Sequence, residues 1–338
     1  KCAVDPRTAG STAHFLHAAM AVAAAATTAS LARATARAAG ADEPSAGWIG
    51  AAAGVLLLAT PWTVVCGSLA YCEMAVLWMM AASLRLALAA DGEPRRGEAM
   101  REGLAHGLLC GAAVAAKLTA APLAVVPAMF WWLLMRRPAA TAAWARRLAT
   151  LAASGGIAGL LVLGPWLLAG WVHAGNPVFP FAADLLGAGH WNPEQVAAWQ
   201  AGHGRGGGLP ALGAEWLVHG IAGDEPPQWG LLPIAGLLAT VTAAAACRGR
   251  RRMLLLAPGL ILLPAIGLWA ALTHAQSRFL LPTAVPLSVA LAMWPLAACG
   301  TGAVARTSRG WRIASLAVVL ATAIQCLWPA LLLLRERD

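Results

Sequence analysis

The sequence predicts an all-α integral membrane protein: a polytopic bundle of about ten transmembrane helices with an outer-face segment containing short helices. Three observations predict it. The 338 residues are 59% hydrophobic and 12% charged, against roughly 25% charged in soluble domains. Apolar runs of spanning length recur along the chain, separated by short loops. Those loops hold most of the arginine, which is the positive-inside pattern. The net charge of +9 is thus read as orientation in a membrane, and no nucleic-acid partner is expected.

The elements follow in order. Lys1 to Ser11 is polar, begins without Met and shows no signal peptide, so an N-terminal part is expected to precede it. The first span runs from about Thr12 to Leu31, ahead of Arg33 and Arg37. The second runs from about Trp48 to Val65, with Pro61 as a kink that neighbouring helices tolerate. The third runs from about Ala70 to Ala90, followed by Arg95, Arg96 and Arg101; Arg85, near its inner end, is expected to snorkel.

The run from Leu104 to Met135 is interrupted by Lys117. As one helix it would be roughly 48 Å long, against a hydrocarbon core of about 30 Å. Two spans turning at Lys117-Leu118-Thr119 on the outer side place Arg136, Arg137, Arg146 and Arg147 on the same side as Arg95 to Arg101. Two short spans are therefore expected, a half-buried hairpin being the other reading. The next runs from about Thr150 to Val172. Spans also cover about Leu231 to Cys247, Leu254 to Leu272, Phe279 to Ala298 and Ile313 to Leu334. The inner loops then hold sixteen arginines, against seven Lys or Arg outside, with Arg85 making up the total of 24. That asymmetry sets the orientation.

The chain divides into spans over 1–172, an extracytoplasmic segment over 173–229 that caps a site, and spans over 230–338. Asn176-Pro177 and Pro180 forbid helix continuation after Trp171. Asn192-Pro193-Glu194-Gln195 reads as an N-cap, a Pro at the first helical position and a capping-box Gln. Gly202 to Gly208 reads as a hinge. A helix from Pro210, with Leu212, Trp216 and Leu217 on its apolar side, is read as lying on the membrane surface.

Charged residues at membrane depth are costly, so each needs a reason. Lys117, at the outer turn, is expected to bind a phosphate or carboxylate, or to snorkel. Glu73, at the outer start of a span, is a candidate base, metal ligand or partner of Lys117, or an acid favoured by the helix dipole. Tyr71, the only Tyr in the chain, fits a site or an aromatic girdle. Arg278 presents a fork suited to phosphate oxygens.

His173, His190, His203 and His219 fall in the outer segment, where one is a candidate proton carrier. Trp191 and Trp199 are candidates to stack on a sugar. His14 and His17 share a helix face without a third ligand in view, so no metal site is assigned, although a divalent ion stays open. The seven Cys show no paired metal spacing and read as free thiols, a Cys66–Cys72 disulfide being the other reading. Asn176 and Asn192 both precede Pro, so neither is a glycosylation site. Walker, GxSxG, HExxH and dinucleotide-binding signatures are absent from the sequence, so no cofactor is assigned.

Four pieces carry a resemblance: Pro61 through Tyr71-Cys72-Glu73; Gly111 through Lys117-Leu118-Thr119; Gly164-Pro165-Trp166 through Asn176-Pro177-Val178-Phe179-Pro180-Phe181; and Arg278-Phe279-Leu280-Leu281-Pro282. In order, spacing and expected outer-face placement they resemble bacterial membrane glycosyltransferases of the GT-C superfamily, related to the aminoarabinose and protein-mannosyl transferases. The resemblance covers about Thr12 to Ala298. It implies an inner-membrane enzyme transferring sugar from a polyprenyl-phosphate donor to a lipid, glycan or protein acceptor on the outer face. It implies that Glu73 matches a membrane-proximal, catalytic-type acid, with the principal catalytic acid upstream of Lys1. Lys117 and Arg278 match phosphate-side cations. Asn176 to Phe181 matches the segment that shapes the outer site, near Tyr71, His173 and Trp191. The alternative expectation is a transporter or flippase of a lipid-linked intermediate, for which broken helices and related halves are the signature. A non-catalytic membrane scaffold is the third.

Overall fold

A computed structural model describes residues 6–89, 97–136, 142–203, 209–214, 216, 228–273, 275–298, 317–324 and 327. Among them the regular elements are helical. They are α1 (Pro6–Ala38), α2 (Glu43–Ala59), α3 (Pro61–Ser68), α4 (Glu73–Ala89), α5 (Glu98–Ala116), a π-helical turn (Ala121–Val125) and α6 (Val126–Met135). There follow α7 (Ala142–Ala174), α8 (Ala183–Leu186), α9 (Pro193–Gly202), α10 (Leu209–Gly213), α11 (Leu232–Ala246), α12 (Gly249–Leu260) and α13 (Leu262–Leu272). A 3₁₀ segment (Ser277–Thr283), α14 (Ala284–Ala292) and α15 (Trp294–Ala298) follow, and residues 317–324 are helical as well.

Among the described residues three helices are long and apolar enough to cross a membrane: Gly10–Ala38, Trp144–Ala174 and Gly249–Leu272. The chain is thus a helical membrane protein. A fourth span results if α2 and α3 count as one. The other apolar helices are shorter, at Ala121–Met135, Leu232–Ala246 and Ser277–Ala292. Among the described residues three helices, or four with the bent pair, have spanning length, against the ten spans expected. Most of the last expected span, Ile313 to Leu334, lies outside the described residues, as do His219, Leu217 and residues 204–208 of the hinge.

Local sequence explains the breaks. Asp42 caps α2 by accepting from the Ser45 amide at 2.9 Å. Thr60 turns extended before Pro61, and α2 and α3 bend by 63° there, since a residue before proline avoids helical backbone. The expected kink is a sharp break. α5 stops at Ala116 because Lys117 turns extended, with φ −158° and ψ 117°.

The chain then reverses. The Trp131 indole donates to the Leu84 carbonyl at 3.0 Å and the Trp132 indole to Glu102 at 2.8 Å. Arg136 pairs with Glu102. The end of α6 thus returns to the start of α5, and two elements rather than one long helix occupy 104–135.

Glu102 also pairs with Arg147 at 3.0 Å, tying the start of α7 to the same end. Its side chain is 7% exposed, as is that of Arg136. Helices α1 and α7 run further than expected, so Arg33, Arg37, Arg146 and Arg147 sit on helices rather than in loops. Arg33 and Arg37 pair with Glu43 at the start of α2. Arginines therefore gather at the Glu102 end, while Lys117 lies at the other.

Apolar association is weak among lipid tails, so close backbone approach has to hold helices together. Two seams of small residues supply it. α5 and α7 run parallel, Gly103, Gly107 and Gly111 facing Leu151 to Gly159 in step. A Cβ on Gly107 would meet the Gly155 carbonyl oxygen at 2.1 Å. α1 and α2 run antiparallel, and a Cβ on Gly50 would meet the Ala29 carbonyl oxygen at 2.7 Å.

Two comparisons of variants test these supports by unfolding in detergent. Gly107→Val is expected to destabilise by about 1–3 kcal/mol, while Gly156→Ala, whose added Cβ meets nothing within 4 Å, leaves the midpoint unchanged. Glu102→Gln, which strands two buried guanidiniums, is expected to cost about 3–5 kcal/mol. Glu43→Gln, at a side chain 46% exposed, is expected to cost under about 1 kcal/mol.

Candidate functional site

Glu73 is the first residue of α4 and Lys117 follows the last of α5. Each therefore sits at the helix end whose dipole favours its charge. The Lys117 ammonium donates to Glu73 Oε1 at 2.5 Å. The side chains are 18% and 3% exposed. Cys72 Sγ donates to the other carboxylate oxygen at 3.8 Å. Of the roles open to Glu73, the structure thus fills that of partner to Lys117.

Phe279 joins the second cation. The Lys117 ammonium lies 4.2 Å from the Phe279 ring centroid, and the Arg278 guanidinium 5.5 Å from it. Arg278 also lies 5.2 Å from the Tyr71 ring centroid. These distances are within cation–π range. The 3₁₀ segment carrying Arg278 and Phe279 packs on α3, α4 and the π-helical turn, which brings residues over 150 positions apart to one end of the bundle. Ala70 and Ala275 have φ 57° and 59°, a region unfavourable to a side chain. One directly precedes Tyr71, and the other begins the turn into Arg278.

Glu73, Val76, Lys117, Thr119, Phe279 and Pro282 line a cleft of about 10 Å³, room for about one water. A phosphate does not fit inside it. Beside the cleft, Tyr71 is 39% exposed and Arg278 partly so. Among the described residues Arg278 has no carboxylate partner, and its Nε is buried without a hydrogen bond. Among the described residues, one carboxylate against two cations leaves the cluster with one net positive charge.

The expected roof is arranged differently. Asn176 is 0% exposed. Its amide donates to the Phe181 and Gly187 carbonyls at 2.9 and 3.0 Å, and its oxygen accepts from the Val178 amide. It is thus occupied as an internal brace of residues 176–187 and offers no free group to a substrate.

Trp191 packs edge-on to Phe179 at 4.7 Å, Trp199 stacks on His203 at 4.4 Å, and His190 lies against Phe179. The predicted capping box closes between Asn192 and Gln195. His173 is exposed in the last turn of α7. α8 and α9 do not pack substantially on the helices that carry Glu73 and Lys117 or on the segment that carries Arg278. Trp191 belongs to an aromatic group of Phe179, Phe181, His190, Trp199 and His203, and His173 is not in it.

What lies over the cluster is the far end of the same segment. Gln228 accepts from the Trp62 amide at 3.1 Å through its backbone and from the Ser277 hydroxyl at 2.8 Å through its side chain. Trp229 is 0% exposed. Trp216 is 6% exposed in the apolar core, with Leu212 against it. The α10 region thus turns its apolar side into protein, which corrects the surface-lying reading.

Sequence reasoning missed Phe279 as the bridge, although it adjoins Arg278 in a motif already singled out. It missed Gln228 and Glu102, which carry no local signal. Cys66, Cys72 and Cys110 are thiols outside any disulfide, so Cys66 and Cys72 are not joined. His14 hydrogen-bonds the Ser68 carbonyl. Among the described residues no three His, Cys, Asp or Glu gather as a metal ion requires. No known family model, curated protein or solved structure matches the chain.

The Glu73–Lys117 pair has a measurable signature. Removing one partner strands the other, at a cost of about 3 kcal/mol. Glu73→Gln with Lys117→Met is expected to cost less than the two singles summed, by at least about 1 kcal/mol in a double-mutant cycle. Additive effects would mean that the residues do not meet.

Proposed function

We propose that the protein is a glycosyltransferase of a bacterial inner membrane. It moves a sugar from a polyprenyl-phosphate carrier to a lipid, glycan or protein acceptor at the outer face of a multi-pass bundle of about ten spans. The observation that carries this reading is the gathering of Lys117 and Arg278 around Phe279, beside Glu73, at the end opposite the arginine-rich one. A lipid-linked phosphate needs cations at the level of the headgroups and apolar surface for its tail. This end of the bundle has both.

In the inverting reaction the acceptor oxygen bonds to the anomeric carbon while the bond from that carbon to the carrier phosphate breaks. The phosphate leaves with the electron pair. The acceptor proton passes to a carboxylate. Arg278 is the group that meets the phosphate, because its guanidinium has no carboxylate partner among the described residues and is partly exposed beside Tyr71. Lys117 lies behind it and adds positive potential. Glu73 holds Lys117 in place, so in this reading it is a positioning residue rather than the base suggested by resemblance.

A second reading is favoured by a specific observation. The 63° break between α2 and α3 and the reversal at Lys117 are discontinuities of the kind that transporters place at their sites. Translocation of a lipid-linked intermediate would use the same cations without breaking the glycosidic bond.

One experiment addresses both. Proteoliposomes containing the full protein are supplied with a radiolabelled polyprenyl-phosphate sugar, and donor binding and product are followed. Arg278→Ala is expected to weaken donor binding by about 10- to 100-fold, the value of a charge-assisted hydrogen bond, with partial recovery in Arg278→Lys. Lys117→Ala is expected to weaken it as well. Unchanged donor affinity in both Ala variants would defeat the phosphate assignment. Movement of intact donor without transfer would select the transporter.

A further inference from the structure

Away from this site, Arg85 lies near the inner end of α4, where the sequence reading assigns it snorkelling and no partner. It lies on α4 twelve residues after Glu73, roughly 18 Å along the helix axis at about 1.5 Å per residue. It therefore belongs to the half of the bundle near Glu102. Its Nε donates to the Ser30 hydroxyl of α1 at 3.2 Å. Among the described residues it has no carboxylate partner, whereas Arg33, Arg37, Arg136 and Arg147 all have one. The side chain is partly exposed.

Arg85 lines an open groove of about 510 Å³ between α1, α4 and α5. The rest of the lining is Thr27, Ala82, Leu86, Ala105, Leu108 and Leu109. The small residues make the groove, and the leucines give it an apolar wall. Leu108 is 49% exposed, so the groove opens sideways, toward where acyl chains lie.

We propose that this groove is a binding site for an anionic phospholipid. One acyl chain lies along Leu86, Leu108 and Leu109, and the headgroup phosphate accepts from the Arg85 guanidinium and the Ser30 hydroxyl. Charge complementarity selects this occupant. The Arg85 guanidinium has no described carboxylate to neutralise it, and a lipid phosphate is the anion the bilayer itself supplies. A zwitterionic lipid fills the same groove but carries a compensating cation. The assignment stands apart from the proposed transferase activity, since it involves neither Lys117 nor Arg278.

The test uses the full chain in detergent after lipid removal. It is titrated separately with dioleoyl phosphatidylglycerol, dioleoyl phosphatidylcholine and inorganic phosphate, and binding is read from the unfolding midpoint. Phosphatidylglycerol is expected to bind more tightly than phosphatidylcholine, with inorganic phosphate giving no shift. Arg85→Gln is expected to weaken phosphatidylglycerol binding by about fivefold, bringing the two lipids level. Arg85→Lys is expected to keep the preference, which separates loss of charge from loss of fold. Ala105→Trp, which fills the groove, is expected to weaken both lipids. Equal binding of the two lipids by the unaltered protein would overturn the proposal. So would a preference that survives Arg85→Gln, a phosphate shift matching that of phosphatidylglycerol, or an Arg85→Gln effect confined to self-association.

Discussion

A lysine at the apolar end of a helix hairpin has to be matched, and Glu73 matches it. The pair brings together the N-terminus of α4 and the C-terminus of α5, each already biased toward the charge it carries. A buried pair of this kind adds little net stability compared with apolar side chains, but losing either partner is expensive. Its effect is therefore to specify position. It fixes where α5 stops, where the chain turns back into α6, and where the 3₁₀ segment can lay Phe279 against the Lys117 ammonium. Arg278, its neighbour in sequence, is thereby placed beside the Phe279 and Tyr71 rings. The cluster keeps one positive charge that no described carboxylate neutralises.

Glu102 performs the matching task at the far end. It gathers Arg136 and Arg147 so that α5, α6 and α7 begin or end together. Between the two ionic ends the helices approach through backbone rather than bulk, as the α5–α7 and α1–α2 seams show. That is the expected arrangement where the solvent is as apolar as the side chains. Ala- and Gly-rich helices are therefore no sign of weak packing in this chain.

Much of this was legible in the sequence. Lys117 inside an apolar run, followed by a cluster of arginines, already required a hairpin, because one long helix would have put those arginines on the wrong side. Pro61 announced the break between α2 and α3. Asn192 and Gln195 announced their capping box. The placement of Glu73, Lys117, Tyr71 and Arg278 at one end followed from charge counting. Long-range partnerships were not legible. Glu102 looks like an ordinary acid near a loop, since nothing local shows that Arg136 and Arg147 converge on it. Asn176 looks like a ligand-facing polar residue, whereas three backbone groups of its own segment use up its hydrogen bonds. The segment from 173 to 229 was read as one roof. Its first part folds on itself through aromatic contacts, and its last residues, Gln228 and Trp229, reach the cluster. Periodicity carries no information about such a division.

The central claim is that Tyr71, Glu73, Lys117 and Arg278 share one side of the membrane and that the Glu102 cluster lies on the other. The most direct measurement is labelling of single cysteines by a membrane-impermeant maleimide, in sealed vesicles of known orientation and in a background without the seven native cysteines. Tyr71→Cys and Gln276→Cys, next to the cluster, are expected to react from the same face. Arg101→Cys, on the exposed start of α5, is expected to react from the opposite face only. Labelling of positions 71 and 276 from opposite faces would contradict the account.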